Sequence, residues 1–240
     1  MLVVDHERQR VIWARPGRST DVLNAFFDEI GAERCAQIQV VTIDMSQAYI
    51  NSIRQKLSHA RIVFDRFHVQ RLASDALDAV RRRLMATLDP RRRRALKKMR
   101  FALLKNPWDL TRLERKKIAD VQRHNAPLYR AHLLKETLAE ALSSLQPRRA
   151  RRKLREWIAW ALRSRLPPFI RVARTIRAHL DGIYAYIELR LTNGLTEGIN
   201  NRIRMVARRA FGFHSPKALI AMIFLTCGDI PLYPTLPSPT

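Results

Sequence analysis

Gln39-Val40-Val41-Thr42-Ile43-Asp44 reads as an apolar strand that delivers a carboxylate at its C-terminal tip. A second stretch of the same kind follows in Arg61-Ile62-Val63-Phe64-Asp65, with Arg66, Phe67 and His68 directly behind it. Between them Tyr49, Ile50, Ile53 and Leu57 recur at spacings of three and four, the period of a helix. The order is therefore strand, helix, strand. A crossover of this kind makes parallel neighbours and places both acidic tips at one edge of a sheet, the edge at which open α/β sheets bind ligands. Asp also caps helices routinely, so capping stands beside ligand binding as a reading of each tip.

Upstream, Leu2-Val3-Val4 and Val11-Ile12-Trp13-Ala14 read as short strands joined by the polar turn Asp5 to Arg10. Pro16-Gly17 ends that hairpin, and Ser19 or Thr20 can cap a helix with the apolar face Val22, Leu23, Phe26, Phe27 and Ile30. The first part of the chain is thus α+β, arranged around one sheet. From Val69 onward the helical period takes over. Val69, Leu72, Ala73, Ala76, Leu77, Val80 and Leu84 form one stripe, and Asp89-Pro90 breaks it. One helix then carries Leu96, Met99 and Leu103 and stops at Pro107; Thr111 and Glu114 make a capping-box pattern for the next. A further helix spans Tyr129 to Leu145, and Pro168 opens another that carries Phe169, Val172, Ile176, Leu180 and Ile183. After the turn formers Asn193 and Gly194, a helix runs from Thr196 through Ile199, Ile203 and Val206, with Glu197, Asn200 and Arg204 on one polar face. Ser215-Pro216 starts the last helix. The domains expected are 1–68, the first part of a core; 69–190, a basic helical insertion; 191–228, the C-terminal core helices; and 229–240, a Pro-rich tail read as extended or disordered.

The formal charge of the 240 residues is +24. Residues 1–60 hold as many acids as bases, so the helical remainder carries the whole excess. A field of this sign recruits polyanions, nucleic acid foremost and an anionic membrane surface less so. The clusters Arg81, Arg82, Arg83, then Arg91, Arg92, Arg93, Arg94, then Arg148, Arg149, Arg151, Arg152, Lys153 are the expected phosphate contacts; a solvated helix face is the other reading. Trp157, Trp160 and Phe169 read as core before base-stacking platforms. Cys35 and Cys227 are the only cysteines and form no C-x-x-C pair, which excludes a zinc ribbon within the chain and fits a reducing cytosol. No apolar run reaches the roughly 18 residues of a membrane span.

Phosphodiester cleavage needs a divalent metal held by carboxylates, and hard oxygen ligands select magnesium or manganese. Asp44 and Glu197 suit that role, while Glu197 also suits the first turn of its helix as a dipole-stabilising acid. Asp65 and His68, three residues apart, can hydrogen-bond, orient a metal-bound water or contact a phosphate, and equally form a structural pair.

Val41-Thr42-Ile43-Asp44-Met45 with Tyr49, Ile62-Val63-Phe64-Asp65-Arg66-Phe67-His68-Val69, Thr192-Asn193-Gly194 with Glu197-Gly198-Ile199-Asn200-Asn201, and Arg208-Arg209-Ala210-Phe211-Gly212-Phe213 together resemble the catalytic domain of ISL3-group transposases, over about residues 2 to 227. The resemblance implies a ribonuclease-H-like core sheet with a large helical insertion before the last acid. It implies that Asp44 is the second acid and Glu197 the third of an Asp-Asp-Glu site for Mg2+ or Mn2+, and that Asp65 and His68 form the accompanying D-x-x-H motif. Asn200, Arg204, Arg208 and Arg209 would then support the acid-bearing helix or contact DNA. It further implies double-stranded DNA partners (element ends and target), a homo-oligomer, no membrane and a nucleoid-associated place in a bacterial cytoplasm. In that family the first catalytic Asp lies on a strand before the hairpin. This chain starts within the hairpin, with Asp5 at its turn, so the sequence is expected to be N-terminally truncated and to lack that first acid and its strand. The competing expectations are a catalytically inactive basic DNA-binding remnant or dominant-negative partner of a full-length transposase, and a basic structural protein whose acids cap helices.

Overall fold

A computed structural model describes residues 1–228; the Pro-rich tail lies outside the described residues. The chain is mostly helical α+β and divides into two compact units.

The first unit comprises Met1–Val41, Ser46–Ala60 and the described residues from Thr192. Its hairpin joins β1 (Leu2–Asp5) to β2 (Arg10–Ala14), antiparallel, with Leu2 opposite Ala14 and a register shift between Val3 and Val4. The turn explains Asp5: its Oδ1 accepts from the amides of Glu7 at 2.9 Å and Arg8 at 3.1 Å, so this carboxylate holds the loop closed. Helix α1 (Thr20–Gln37) is capped by Ser19 and interrupted at Gly31, whose φ of 78° only glycine adopts at no cost. It packs on α2 (Gln47–Lys56), where the Ser52 hydroxyl donates to Asn24 Oδ1 at 2.6 Å and Lys56 pairs with Asp28 at 2.8 Å. Helices α11 (Gly194–Arg209) and α12 (Pro216–Cys227) form a separate small core with the hairpin, centred on Val11, Ile199, Ile223 and Cys227.

The second unit comprises Thr42–Met45 and Arg61–Leu191. Strand β3 (Val40–Ile43) pairs with β4 (Arg61–Phe64), and the Asp65 amide donates to the Ile43 carbonyl at 3.3 Å. That bond joins the two C-terminal ends, as a parallel pair requires. Helix α3 (Arg66–Ala86) buries Val69, Ala73, Ala76, Leu77 and Val80 against α7 (Ala126–Ser143) and α9 (Pro167–Ala178). Helix α8 (Pro147–Leu162) packs on α7 and α9, and its Trp157 indole donates to the Leu134 carbonyl at 2.7 Å. Trp157 and Phe169 are buried, and Trp160 is half-buried, as core positions should be. Helix α10 (Leu180–Leu189) lies on β4; a Cβ on its Gly182 would sit 2.4 Å from the Phe64 ring, so only glycine permits this approach. Helices α4 (Pro90–Lys98), α5 (Arg100–Leu104) and α6 (Arg112–His124) complete the block.

Four expectations about the elements are corrected. The four strands form two separate two-stranded sheets among the described residues, not one, because the hairpin pairs only with itself and β3 only with β4. The helix expected to run to Pro107 breaks at Met99, and the one expected from Pro168 through Ile183 breaks at His179. The Met99 amide donates to the i−3 carbonyl of Leu96, and the His179 amide is shared between the i−4 carbonyl of Thr175 and the i−3 carbonyl of Ile176, which tightens each last turn. Helix α7 starts at Ala126 and ends at Ser143, leaving Leu145 86% exposed.

Candidate active site and nucleic-acid interface

Asp44 follows β3 directly and is exposed. The N-cap position of α2 belongs to Ser46, two residues later. Asp65, its counterpart after β4, is wholly buried and does cap: its Oδ1 accepts from the Phe67 amide at 3.2 Å at the start of α3. Its other oxygen, Oδ2, lies 3.3 Å from His68 Nδ1, with the imidazole 38% exposed. Both Asp65 oxygens are thus engaged, and the carboxylate fixes which imidazole nitrogen faces it. Asp44, Asp65 and His68 belong to one unit and lie at the shared C-terminal edge of β3 and β4.

Glu197 belongs to the other unit. It is exposed in the first turn of α11, where its amide donates to the Asn193 carbonyl at 2.8 Å. Ile199, 5% exposed, anchors the opposite face of the helix in the small core. The polar face expected from spacing is present, although Arg204 reaches Asn201 Oδ1 at 3.0 Å. Exposed carboxylates with hard oxygens match the chemistry of magnesium, which keeps several waters and takes one or two protein carboxylates. Among the described residues no three His, Cys, Asp or Glu side chains gather into a metal-holding cluster.

The basic clusters divide by burial. Arg91 to Arg94, Arg148, Arg149, Arg208 and Arg209 are exposed. Arg81 is not: it is 5% exposed, its guanidinium donates to Asp78 Oδ1 at 2.7 Å, and it departs from the expected phosphate-contacting role because α3 consumes it internally. Asp78 also engages Arg82 and, from α5, Arg100. Arg151 pairs with Glu188 and lies over the Tyr184 ring, and Lys153 pairs with Glu140.

A model of a transposase family, the ISL3 group of DDE transposases, matches residues 1–223. The chain belongs to the ISL3 family of transposases. It is similar to the transposase for insertion sequence element IS1557 of Mycobacterium tuberculosis, 38% identical in strains CDC 1551 / Oshkosh and H37Rv, over 98% of this chain and 58% of that protein. It is 32% identical to the transposase for insertion sequence element IS1001 of Bordetella parapertussis, over 88% of this chain and 53% of that protein. The chain therefore spans little more than half the length of these relatives. No solved structure matches it. Among its described residues no helix is long and apolar enough to cross a membrane.

Burial was the signal missing from the sequence for one group in the helical block. Lys135 is 6% exposed and its ammonium donates to the carbonyls of Leu103, Leu104 and Lys105, closing the end of α5. Charged residues at His132, Lys135 and Glu136, interleaved with the buried Ala131, Leu134 and Leu138, were its trace in the sequence.

Proposed function

We propose that this chain is the catalytic region of a DNA transposase that cuts at the ends of an insertion sequence and joins them to target DNA. The observation that carries the reading is the family match over residues 1–223, which takes in Asp44, the Asp65–His68 pair and Glu197. The fold proposed is a ribonuclease-H-like core, with residues 69–190 as the insertion that separates Asp44 from Glu197. Asp44 and Glu197 would each supply a carboxylate oxygen to Mg2+ or Mn2+, which would polarise the phosphate and lower the pKa of an attacking water. Asp65 holds the His68 imidazole beside the Asp44 edge of the sheet, placing a nitrogen base or donor where the phosphate enters. The reaction has two in-line displacements. Water attacks phosphorus and a 3′-oxygen leaves; the freed 3′-hydroxyl then attacks a target phosphate, joining to it as the target strand's 3′-oxygen leaves.

The exposed cations of α4 and α8, with Asn200, Arg204, Arg208 and Arg209 of α11, hold double-stranded DNA through its phosphates, giving affinity without sequence choice. Homo-oligomerisation would bring two element ends together, and a nucleoid-associated cytoplasmic location follows from the substrate. The test is Mn2+- or Mg2+-dependent nicking of supercoiled DNA by the native chain, Asp44→Asn and Glu197→Gln, with DNA binding measured alongside. Loss of nicking with binding retained supports the reading. Nicking unchanged in either variant removes that residue's role, and DNA binding without nicking in the native chain favours a non-catalytic binder.

A further inference from the structure

Phe211 is 101% exposed, more than any other large hydrophobic side chain among the described residues. Its backbone is also left-handed, with φ at 52°, a conformation that a bulky residue adopts rarely. The turn around it shows why. The Gly212 amide donates to the Ala207 carbonyl at 3.0 Å and the Phe211 amide to the Arg208 carbonyl at 3.2 Å, the two bonds of a Schellman cap at the end of α11. In that cap the position of Phe211 ordinarily belongs to glycine, and here glycine stands one place later, at Gly212 with φ of 102°. The ring contributes nothing to the fold that would offset this choice, since Ile199, Ile203, Leu219 and Ile223 do the packing of α11 and α12. An apolar ring held out in water on a disfavoured backbone points to a partner outside the chain.

Charge says which partner. Arg208 and Arg209 stand three and two residues before the ring and are exposed, as are Arg204 on the helix and Lys217 beyond the turn. From Gly198 to Cys227 the sequence contains no acid. A cationic turn with one projecting aromatic ring is complementary to a nucleic acid, whose phosphates take the guanidiniums and whose bases take the ring. A fully paired and stacked duplex shows no base face to such a ring, so the bases must be unpaired or pried apart.

We infer that the α11–α12 turn is a site for distorted or single-stranded DNA: Arg208 and Arg209 hold backbone phosphates while Phe211 stacks on unstacked bases. The inference rests on the reading of this chain as a DNA-handling transposase and adds a base-contacting residue to it. Fourteen residues separate Phe211 from Glu197 along α11, about 20 Å at the helical rise. That is roughly six base-pair steps of DNA, so bases stacked on the ring would lie several nucleotides from a phosphate at Glu197.

The test uses Phe211→Gly, which places the residue the cap prefers and so keeps the fold, and Phe211→Trp, which keeps a ring. Affinity of the full chain is measured for a paired duplex and for the same duplex with a central unpaired segment. The native chain should prefer the unpaired segment. Phe211→Gly should lose about 5- to 100-fold on that probe and much less on the paired one, Phe211→Trp should restore binding, and the melting temperature of Phe211→Gly should be unchanged or raised. Equal affinities of Phe211→Gly and the native chain for both probes overturn the inference. So does a change confined to oligomeric state by sedimentation, which would seat the ring on a second copy. Either result leaves the transposase reading standing; a native chain that binds neither probe would remove that reading too.

Discussion

The buried carboxylate of Asp65 has two partners: one oxygen caps α3 through the Phe67 amide, and the other meets His68 Nδ1 at 3.3 Å. Asp65→Ala should therefore destabilise the chain by about 0.5–2 kcal/mol through loss of the cap and also release the imidazole. Asp65→Asn keeps an acceptor for the amide and should lose less stability in thermal unfolding. His68→Ala leaves the buried Oδ2 without that partner and should also destabilise the chain while lowering cleavage. Equal stabilities for Asp65→Ala and Asp65→Asn would show that the cap contributes nothing.

Arg81 and its neighbours in sequence should part company when mutated. Arg81 is buried on Asp78, so Arg81→Ala should cost roughly 1–3 kcal/mol of stability, the usual cost of breaking a buried bond to a charged group, and leave DNA affinity unchanged. Replacing the exposed Arg93 and Arg94 should do the reverse. Taking one guanidinium away from a phosphate should make the dependence of log affinity on log salt shallower by about 0.9. Titration of duplex DNA at several salt concentrations, with urea unfolding in parallel, checks both.

Burial of the His132 imidazole in α7 lowers its pKa below the ordinary histidine value; Glu136 opposes this and Lys135 adds to it. The unfolded chain then binds the proton more readily than the folded one, so stability is full above about pH 6.5 and falls as the pH drops below it. His132→Gln should flatten the stability curve in that interval, and urea unfolding at stepped pH measures the slope.

Glu114 is held at about 2 by its bonds to the Lys105 ammonium, first, and to the Thr111 amide that completes the capping box of α6. Its folded pKa lies below the unfolded value, so the stability it contributes is present above about pH 4.3 and is lost as the pH falls toward 2. Amide exchange at the start of α6 should accelerate over that interval in the native chain. In Glu114→Gln, which keeps an acceptor for the Thr111 amide but loses the pair with Lys105, it should be independent of pH over that interval after correction for intrinsic exchange.

Much of this was legible because its causes are local. The acid-tipped strands, the Asp65–His68 spacing, the Thr111–Glu114 box, the break at Asp89-Pro90 and the Pro168 that opens α9 all act within a few residues of themselves. The breaks at Met99 and His179 were not, since neither carries proline or glycine; His179 instead sets its ring edge-on to Phe64, 5.2 Å away, a contact across more than a hundred residues. The number of sheets was hidden for the same reason: strand pairing is decided between distant segments. Arg81 lay in a basic run like any other, and only its burial on Asp78 separates it from the exposed Arg82 and Arg83. Phe211 was visible as a residue, but its exposure depended on what α11 and α12 left uncovered.

On the proposed reading, Asp44 and Glu197 serve one divalent cation although they belong to different compact units. Electron paramagnetic resonance of Mn2+ binding to the native chain, Asp44→Asn, Glu197→Gln and the double variant tests it most directly. One shared site means that either single change removes most of the bound Mn2+ and that the second change adds little, a strongly non-additive cycle. Native-like Mn2+ binding in either single variant, or losses that simply add, would contradict the account.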